Sequence, residues 1–220
     1  MIQNNESHEL PHALPFVEIR PMRLEHLAEV MEIEPVAFGS HHWSHQSFVN
    51  ELNNSLGCYF VAYERGTQRL IGYSGFWLIG EEAHITTLAV HPEWRRLNIG
   101  ERLLIHDINQ AYKVGANWLT LEVRASNEKA QMLYFKYGFK SLGVRRNYYQ
   151  DNDEDAYVLW TENIRTPEFK KQFQERVDAL QQLLGANQSD FENSEKPVAS
   201  HTPLLDEQHS NAENSDSAQS

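Results

Sequence analysis

The chain has 220 residues, 40% of them apolar, which suits one domain with a sizeable core. Its net charge of −12 is uneven: residues 185–220 carry seven acids (Asp190, Glu192, Glu195, Asp206, Glu207, Glu213, Asp216) against Lys196, and residues 1–15 add Glu6 and Glu9, leaving −4 on residues 16–184. That body lacks the positive surface that nucleic acid phosphates require, so direct nucleic acid binding is not expected, whereas a basic peptide is tolerated as a partner.

Residues 1–15 read as a flexible extension. No basic residue precedes Arg20 and no apolar run there is long enough for a signal peptide, so export is not expected. Nowhere do eighteen apolar residues run together, which argues against a membrane-spanning helix. Cys58 is the single cysteine, so no internal disulfide can form, and a cytoplasmic location is the simplest expectation.

Met22, Leu24, Leu27, Val30, Met31 and Ile33 recur at mostly helical intervals and predict a first helix that Pro35 ends. A second, short helix follows Ser44, an N-cap type, with Trp43 and Phe48 at the two positions of a hydrophobic staple. His41, His42 and His45 flank that start without a further ligand at matched spacing, so no metal site is expected. Residues 58–63, 70–79 and 83–90 are strand-like and separated by short turns, an antiparallel meander. Cys58 lies in the first of these and reads as a small buried side chain.

The period then changes. Leu97, Leu103, Leu104, Ile108, Ala111 and Tyr112 make a helical stripe beginning near Arg96 and closed by Gly115. Residues 117–123 are a strand, and "SNEKAQMLYFKYG" a helix with Ala130, Leu133, Tyr134 and Tyr137 on one face, capped by Ser126 and Gly138. Residues 139–149 and 156–160 read as a hairpin around "QDNDED". Phe169, Phe173, Val177, Leu180 and Leu184 then mark an amphipathic helix over 166–184, after which the polar, acidic residues 185–220 read as a disordered tail. The fold class is α+β, with a helix crossing between two neighbouring strands that therefore run parallel.

The stretch "VHPEWRRLNIG" leaves a strand, turns at a proline and enters a helix. Helix N-termini present unpaired N–H groups and a positive dipole end, which bind phosphate, and Arg95 and Arg96 can add direct contacts. Asn98 tolerates a left-handed turn and Gly100 lets a ligand approach the backbone.

The run "HITTLAVHPEWRRLNIGERLL" resembles the acetyl-CoA motif of the GNAT acyltransferase superfamily, R/Q-x-x-G-x-G/A, with Arg95, Asn98 and Gly100 at the defining positions and Asn98 standing where a glycine is usual. "LTLEVRASNEKAQMLYFKYGF", "RRNYY" and the earlier "AFGSHHWS" resemble the RimI family of ribosomal-protein-alanine N-acetyltransferases, over about residues 16–160. The resemblance implies a GNAT-like domain over 16–165, with a mostly antiparallel mixed sheet flanked by helices. It also implies acetyl-CoA as co-substrate, no metal, and the N-terminus of a ribosomal protein or similar basic peptide as acceptor, with no membrane partner. Leu88, Ala89 and Val90 then correspond to the edge that pairs with the pantetheine arm, and Arg96, Leu97, Asn98, Ile99, Gly100 and Glu101 to the pyrophosphate loop. Asn127 corresponds to a side chain that bonds the cofactor, Glu122 to the proton acceptor and Tyr134 to the proton donor.

The chemistry agrees with those types. Acyl transfer needs an uncharged amine, and an α-amino group titrates at about 7.7 to 8, so a carboxylate within reach of it is useful. Glu122 alternates with Leu119, Leu121 and Val123 and so faces away from their apolar side, with Trp118 and Thr120. The departing thiolate takes a proton that tyrosine can supply, and the Val90 N–H is the candidate to polarise the thioester carbonyl. Attack is expected to be direct, with no acetyl-enzyme on Cys58. Asp151, Asp153, Glu154 and Asp155 at the hairpin tip either hold a basic peptide or form a solvated loop, and Tyr148 and Tyr149 either wall a peptide groove or alternate across the sheet. A cofactor-binding sensor without activity and an acetyltransferase for small amines are the other readings.

Overall fold

The computed structural model describes residues 17–185. The expected extension at 1–15 and acidic tail lie outside the described residues, apart from Gly185. The described residues open with a strand that the sequence reading did not identify: β1, Val17–Pro21, pairs antiparallel with β2, Gly57–Glu64, as an edge strand that Pro21 ends. Helix α1, Leu27–Phe38, runs through Pro35 rather than ending there. The proline sits in the final turn, where its own carbonyl still caps the helix by accepting from the Gly39 N–H. Helix α2, His45–Leu52, starts as expected: Ser44 accepts from the Ser47 N–H at 3.0 Å, and the Trp43 and Phe48 rings pack 5.2 Å apart.

Strands β3, Arg69–Ile79, and β4, Glu82–Val90, complete the meander. Helix α3, Ile99–Lys113, crosses to β5, Trp118–Arg124; α4, Glu128–Lys136, precedes the hairpin of β6, Phe139–Tyr149, and β7, Glu154–Thr161; α5, Pro167–Leu184, closes the domain. The seven strands lie in the order β1-β2-β3-β4-β5-β7-β6, and only β4 and β5 run parallel, as the crossover required.

Helices α1 and α2 cover one face of the sheet over Tyr59, Val61, Tyr63, Tyr73 and Ala89. The other face carries α3, α4 and α5 over Phe60, Phe76, Ile85, Leu119, Leu121 and Leu159. Phe169, Val177 and Leu180 of α5 join this second core, so α3 is buried on nearly every side. Its N-terminal half is tied to the C-terminal end of α4 by Glu101, which accepts from the Tyr137 hydroxyl and the Lys136 ammonium, each at 2.5 Å.

One irregularity sets up everything that follows. Gly75 pairs with Thr87 but Phe76 pairs with Ile85, leaving Thr86 as the extra residue of a bulge on β4. A bulge bends its strand, and here the bend coincides with the end of parallel pairing: β4 and β5 are joined only from Glu82–Trp118 to His84–Thr120. Beyond that point the two strands part. The bulge also reverses the alternation, so Ile85 packs under α3 while Ala89 packs under α1.

Candidate active site

The cleft between the parted strands has a backbone wall and a polar floor. His91 donates to the Ile71 carbonyl of β3 at 2.9 Å. Successive peptide groups of a strand point to opposite sides, so those of Val90 and Leu88 face the gap towards β5, and the Val90 carbonyl there accepts from Arg95 Nε at 3.3 Å. Ala89, placed with them by the sequence, contributes its backbone position alone, since its side chain is buried under α1.

From Val90 the chain enters the basic loop. Helix α3 begins at Ile99, three residues later than the expected start near Arg96, because Arg96 (φ 68°) and Asn98 (φ 58°) are both left-handed. Asparagine takes this conformation more readily than most residues, which accounts for Asn98 in place of a glycine. The first helical bond runs from Arg102 N–H to the Asn98 carbonyl at 3.0 Å, so the N–H groups of Ile99, Gly100 and Glu101 have no partner within the helix. A Cβ on Gly100 would meet only the side chains of Leu88 and Val90, at 3.6 Å, so the protein itself leaves space there. The Glu101 side chain is turned away to hold α4, leaving its N–H as the part of it that faces the loop.

Asn127, not Ser126, caps α4: its side chain accepts from the Ala130 N–H at 3.2 Å. Tyr134 lies on α4, 8% exposed, packed 5.5 Å from the Phe139 ring. Burial pushes its phenol above the usual tyrosine range, with Asp107 and Tyr149 adding to the effect, so it is held as a protonated donor.

Glu122 points to the opposite face of the sheet. Its side chain is 7% exposed, with Oε2 3.2 Å from His84 Nε2 and Oε1 3.0 Å from the Arg145 guanidinium. The His84 hydrogen bond and then the charges of His84 and Arg145 hold its carboxyl below the ordinary range against the cost of burial. His84 Nδ1 lies 2.8 Å from Thr120 Oγ1, which donates to Glu82 at 2.6 Å. Trp77 packs near His84, and its Nε1 donates to Glu51 of α2 at 2.6 Å; Tyr59 donates to the same carboxylate at 2.8 Å. None of His84, Arg145 and Glu51 was singled out from the sequence. Alternation along "EAHIT" places His84 on a polar face, but only the parallel register sets it beside Thr120 and Glu122.

The hairpin tip resolves into internal structure. Arg124 is gripped by Asp151 and Glu154, at 2.9 and 3.0 Å, and lies 3.9 Å over the Tyr149 ring, while Asp155 holds Arg146 and the Asn147 N–H. Asp151, Glu154 and Asp155 are therefore engaged in forming the turn. Tyr149 packs edge-on against His41, whose Nε2 accepts from the Asp151 N–H at 3.0 Å, so the segment before α2 meets the hairpin across the polar face. Tyr148 is 42% exposed. Burial and Asp107 push the Cys58 thiol up to about 11, leaving it un-ionised at neutral pH. Among the described residues no three His, Cys, Asp or Glu side chains are grouped to hold a metal ion, and no helix is long and apolar enough to cross a membrane.

The site is thus a mixed sheet opened between two parallel strands, with a loop of unpaired helix N–H groups at one end and a carboxylate on the far face, an arrangement suited to acyl transfer. The family model of the GNAT acetyltransferases matches residues 25–139, and the chain belongs to that family. It is an acetyl-CoA-dependent acetyltransferase. A Bacillus subtilis protein provisionally assigned as a [ribosomal protein bS18]-alanine N-acetyltransferase is 40% identical over 142 residues, covering 64% of this chain and 93% of the relative. The N-alpha-acetyltransferase RimI of Mycobacterium tuberculosis is 34% identical over 133 residues, 58% of this chain and 81% of its own. The crystal structure of the ribosomal-protein-S18-alanine N-acetyltransferase from Escherichia coli superposes with a TM-score of 0.60 at 31% identity, covering 66% of this chain and 92% of that one.

Proposed function

We propose that this chain transfers an acetyl group to the α-amino group of an N-terminal alanine, on a small-subunit ribosomal protein of the bS18 type, in the cytoplasm. The observation that carries the reading is Glu122, a buried ionised carboxylate on the face across the cleft from the cofactor loop. The Bacillus subtilis and Escherichia coli relatives, named as S18-alanine N-acetyltransferases, support the choice of acceptor.

In this reading the N–H groups of Ile99, Gly100 and Glu101, with Arg95 and Arg96, hold the diphosphate, and the Leu88 and Val90 peptide groups hold the pantetheine arm. Leu97 supports the loop by packing beside Ile99 and Leu103, and Asn127 presents the start of α4. When bound, acetyl-CoA supplies the activated acyl carbonyl. The acceptor ammonium enters from the α1 and α2 face, between the segment before α2 and the β6–β7 hairpin, where Tyr149 and His41 meet. Glu122 accepts its proton, the Val90 N–H steadies the developing oxyanion, and Tyr134 protonates the departing sulfur from the opposite face. Transfer is direct, consistent with an un-ionised Cys58.

The test is release of free thiol from acetyl-CoA with peptides beginning in alanine, compared with polyamines and an inert blocked peptide. Turnover on the alanine peptide with an acetyl mark at its α-nitrogen is expected. Turnover on polyamines alone would overturn the acceptor, and acetylation of Cys58 seen by intact mass would overturn direct attack.

A further inference from the structure

The His84 cluster goes beyond the assignment of Glu122 as base, and it rests on that assignment. Glu82, Thr120, His84 and Glu122 form one chain across the last paired rungs of β4 and β5, with links of 2.6, 2.8 and 3.2 Å. Three links need three protons. Threonine has one, and its 2.6 Å contact with the Glu82 carboxylate commits that proton to Glu82. Thr120 Oγ1 must then accept from His84, so Nδ1 carries a proton. The third link, from Nε2 to Glu122, is made only when one further proton lies between imidazole and carboxylate. Without it, a nitrogen lone pair faces a carboxylate oxygen. The chain is thus one proton short when His84 is neutral and complete when it has taken one up.

We propose that His84 is a positioning and proton-holding residue: the proton lost by the acceptor ammonium passes through Glu122 to His84 Nε2, returning Glu122 to carboxylate before the next acceptor binds. The step balances. The ammonium N–H bond breaks and its electron pair becomes the attacking lone pair; an O–H bond forms at Glu122 and breaks as Nε2–H forms; the proton leaves to solvent after the product.

The need for such a holder follows from the base itself. A carboxyl, which ordinarily titrates at about 4.3, accepts a proton from an α-ammonium, ordinarily at about 7.7 to 8, uphill, whereas imidazole is the side chain whose charge ordinarily changes near neutral pH. The charged groups around His84 are Glu82 on its own strand, Glu122 on β5, Arg145 on β6 acting through Glu122, and Glu51 on α2 acting through Trp77. The Arg145 side chain is 55% exposed and also lies 5.4 Å over the Tyr148 ring.

The experiment pairs kinetics with nitrogen NMR on the full chain. His84→Gln keeps a hydrogen-bonding side chain but cannot take up the proton. Its kcat on an alanine-terminated peptide should fall about 10- to 100-fold at pH 6.5 and come within about threefold of the parent at pH 9, where the amine deprotonates unaided, with KM for acetyl-CoA unchanged. Thr120→Val should show the same trend more weakly, and Thr120→Ser should restore it. A loss equal at every pH, or none, would overturn the proposal. On ¹⁵N-histidine-labelled protein, Nδ1 of His84 should stay protonated while Nε2 titrates, a result independent of any substrate. Titration at Nδ1 instead would overturn the proton count. Absence of turnover on any α-amine by the parent enzyme, with Nε2 still the titrating nitrogen, would instead indict the acceptor assignment.

Discussion

Glu122 and Asp107 are carboxyls on opposite faces of the same sheet, and the protein sets them in opposite states. Glu122 has His84 and Arg145 against its two oxygens and is held below the usual carboxylate range. Asp107 on α3 is fully buried; one oxygen accepts from Ser74 at 2.8 Å, the other meets no partner, and burial pushes it well above the usual range. A buried carboxyl without a cation neutralises rather than ionises. One carboxyl is thus held in its ionised form, able to accept a proton, while burial favours the neutral form of the other.

The largest effect that could break this contrast is at Glu122. Glu122→Gln should lower kcat at neutral pH by about 10² to 10⁴ with little change in acetyl-CoA binding by calorimetry. An unchanged rate would leave the two carboxyls without functional distinction. Tyr134→Phe should follow at about 10- to 100-fold in kcat, with the thermal midpoint nearly kept because the ring still fills its place against Phe139. Equal losses of stability and rate would make the phenol a core group only.

A third test separates a neutral buried carboxyl from an ionised one by pH. Glu34, 2% exposed, accepts from the Trp43 N–H at 2.7 Å, and burial pushes its carboxyl up from 4.5 to about 7. The native state therefore keeps a proton that the unfolded chain loses near 4.5. Its contribution is fully present below pH 4.5, is lost as pH rises to about 7, and is constant above. Urea midpoints from pH 4.5 to 8 should show that decline in the parent and a flatter profile in Glu34→Gln; identical slopes would refute the assignment. Asp107→Asn should cost less than about 1 kcal/mol and leave kcat within about twofold, since burial already favours the neutral form of the native carboxyl. A collapse of activity there would move Asp107 into the site. The smallest effect expected is at Asn98→Gly, where a residue already at φ 58° is replaced by the one that adopts it freely. Acetyl-CoA affinity should hold or tighten by no more than about threefold, and a large weakening would mean the asparagine amide itself binds.

Local signals were legible wherever a few neighbouring residues decide the outcome. Ser44 with its staple, the left-handed Asn98 and the outward face of Glu122 are of this kind. Strand β1 escaped because five residues at an edge carry too little alternation to stand apart from the helix pattern that follows. Pro35 misled because a proline interrupts only the turn before it, and α1 needed just one more turn to finish. Asp151 and Glu154 looked available because their partner, Arg124, lies 27 residues or more away in sequence.

The sequence by itself determined the α+β order of elements, the parallel crossover, the left-handed entry to α3 and the face on which Glu122 lies, because periodicity, caps and residue chemistry are local properties. Tertiary structure alone decided that β4 bulges at Thr86 and parts from β5 after His84, that Glu122 and Tyr134 lie on opposite faces of the sheet, and that His84 completes a chain from Glu82 to Glu122. The parting of β4 from β5 and the His84 chain depend on register between strands more than thirty residues apart, and a one-residue slip would send the His84, Thr120 or Glu122 side chains to the other face.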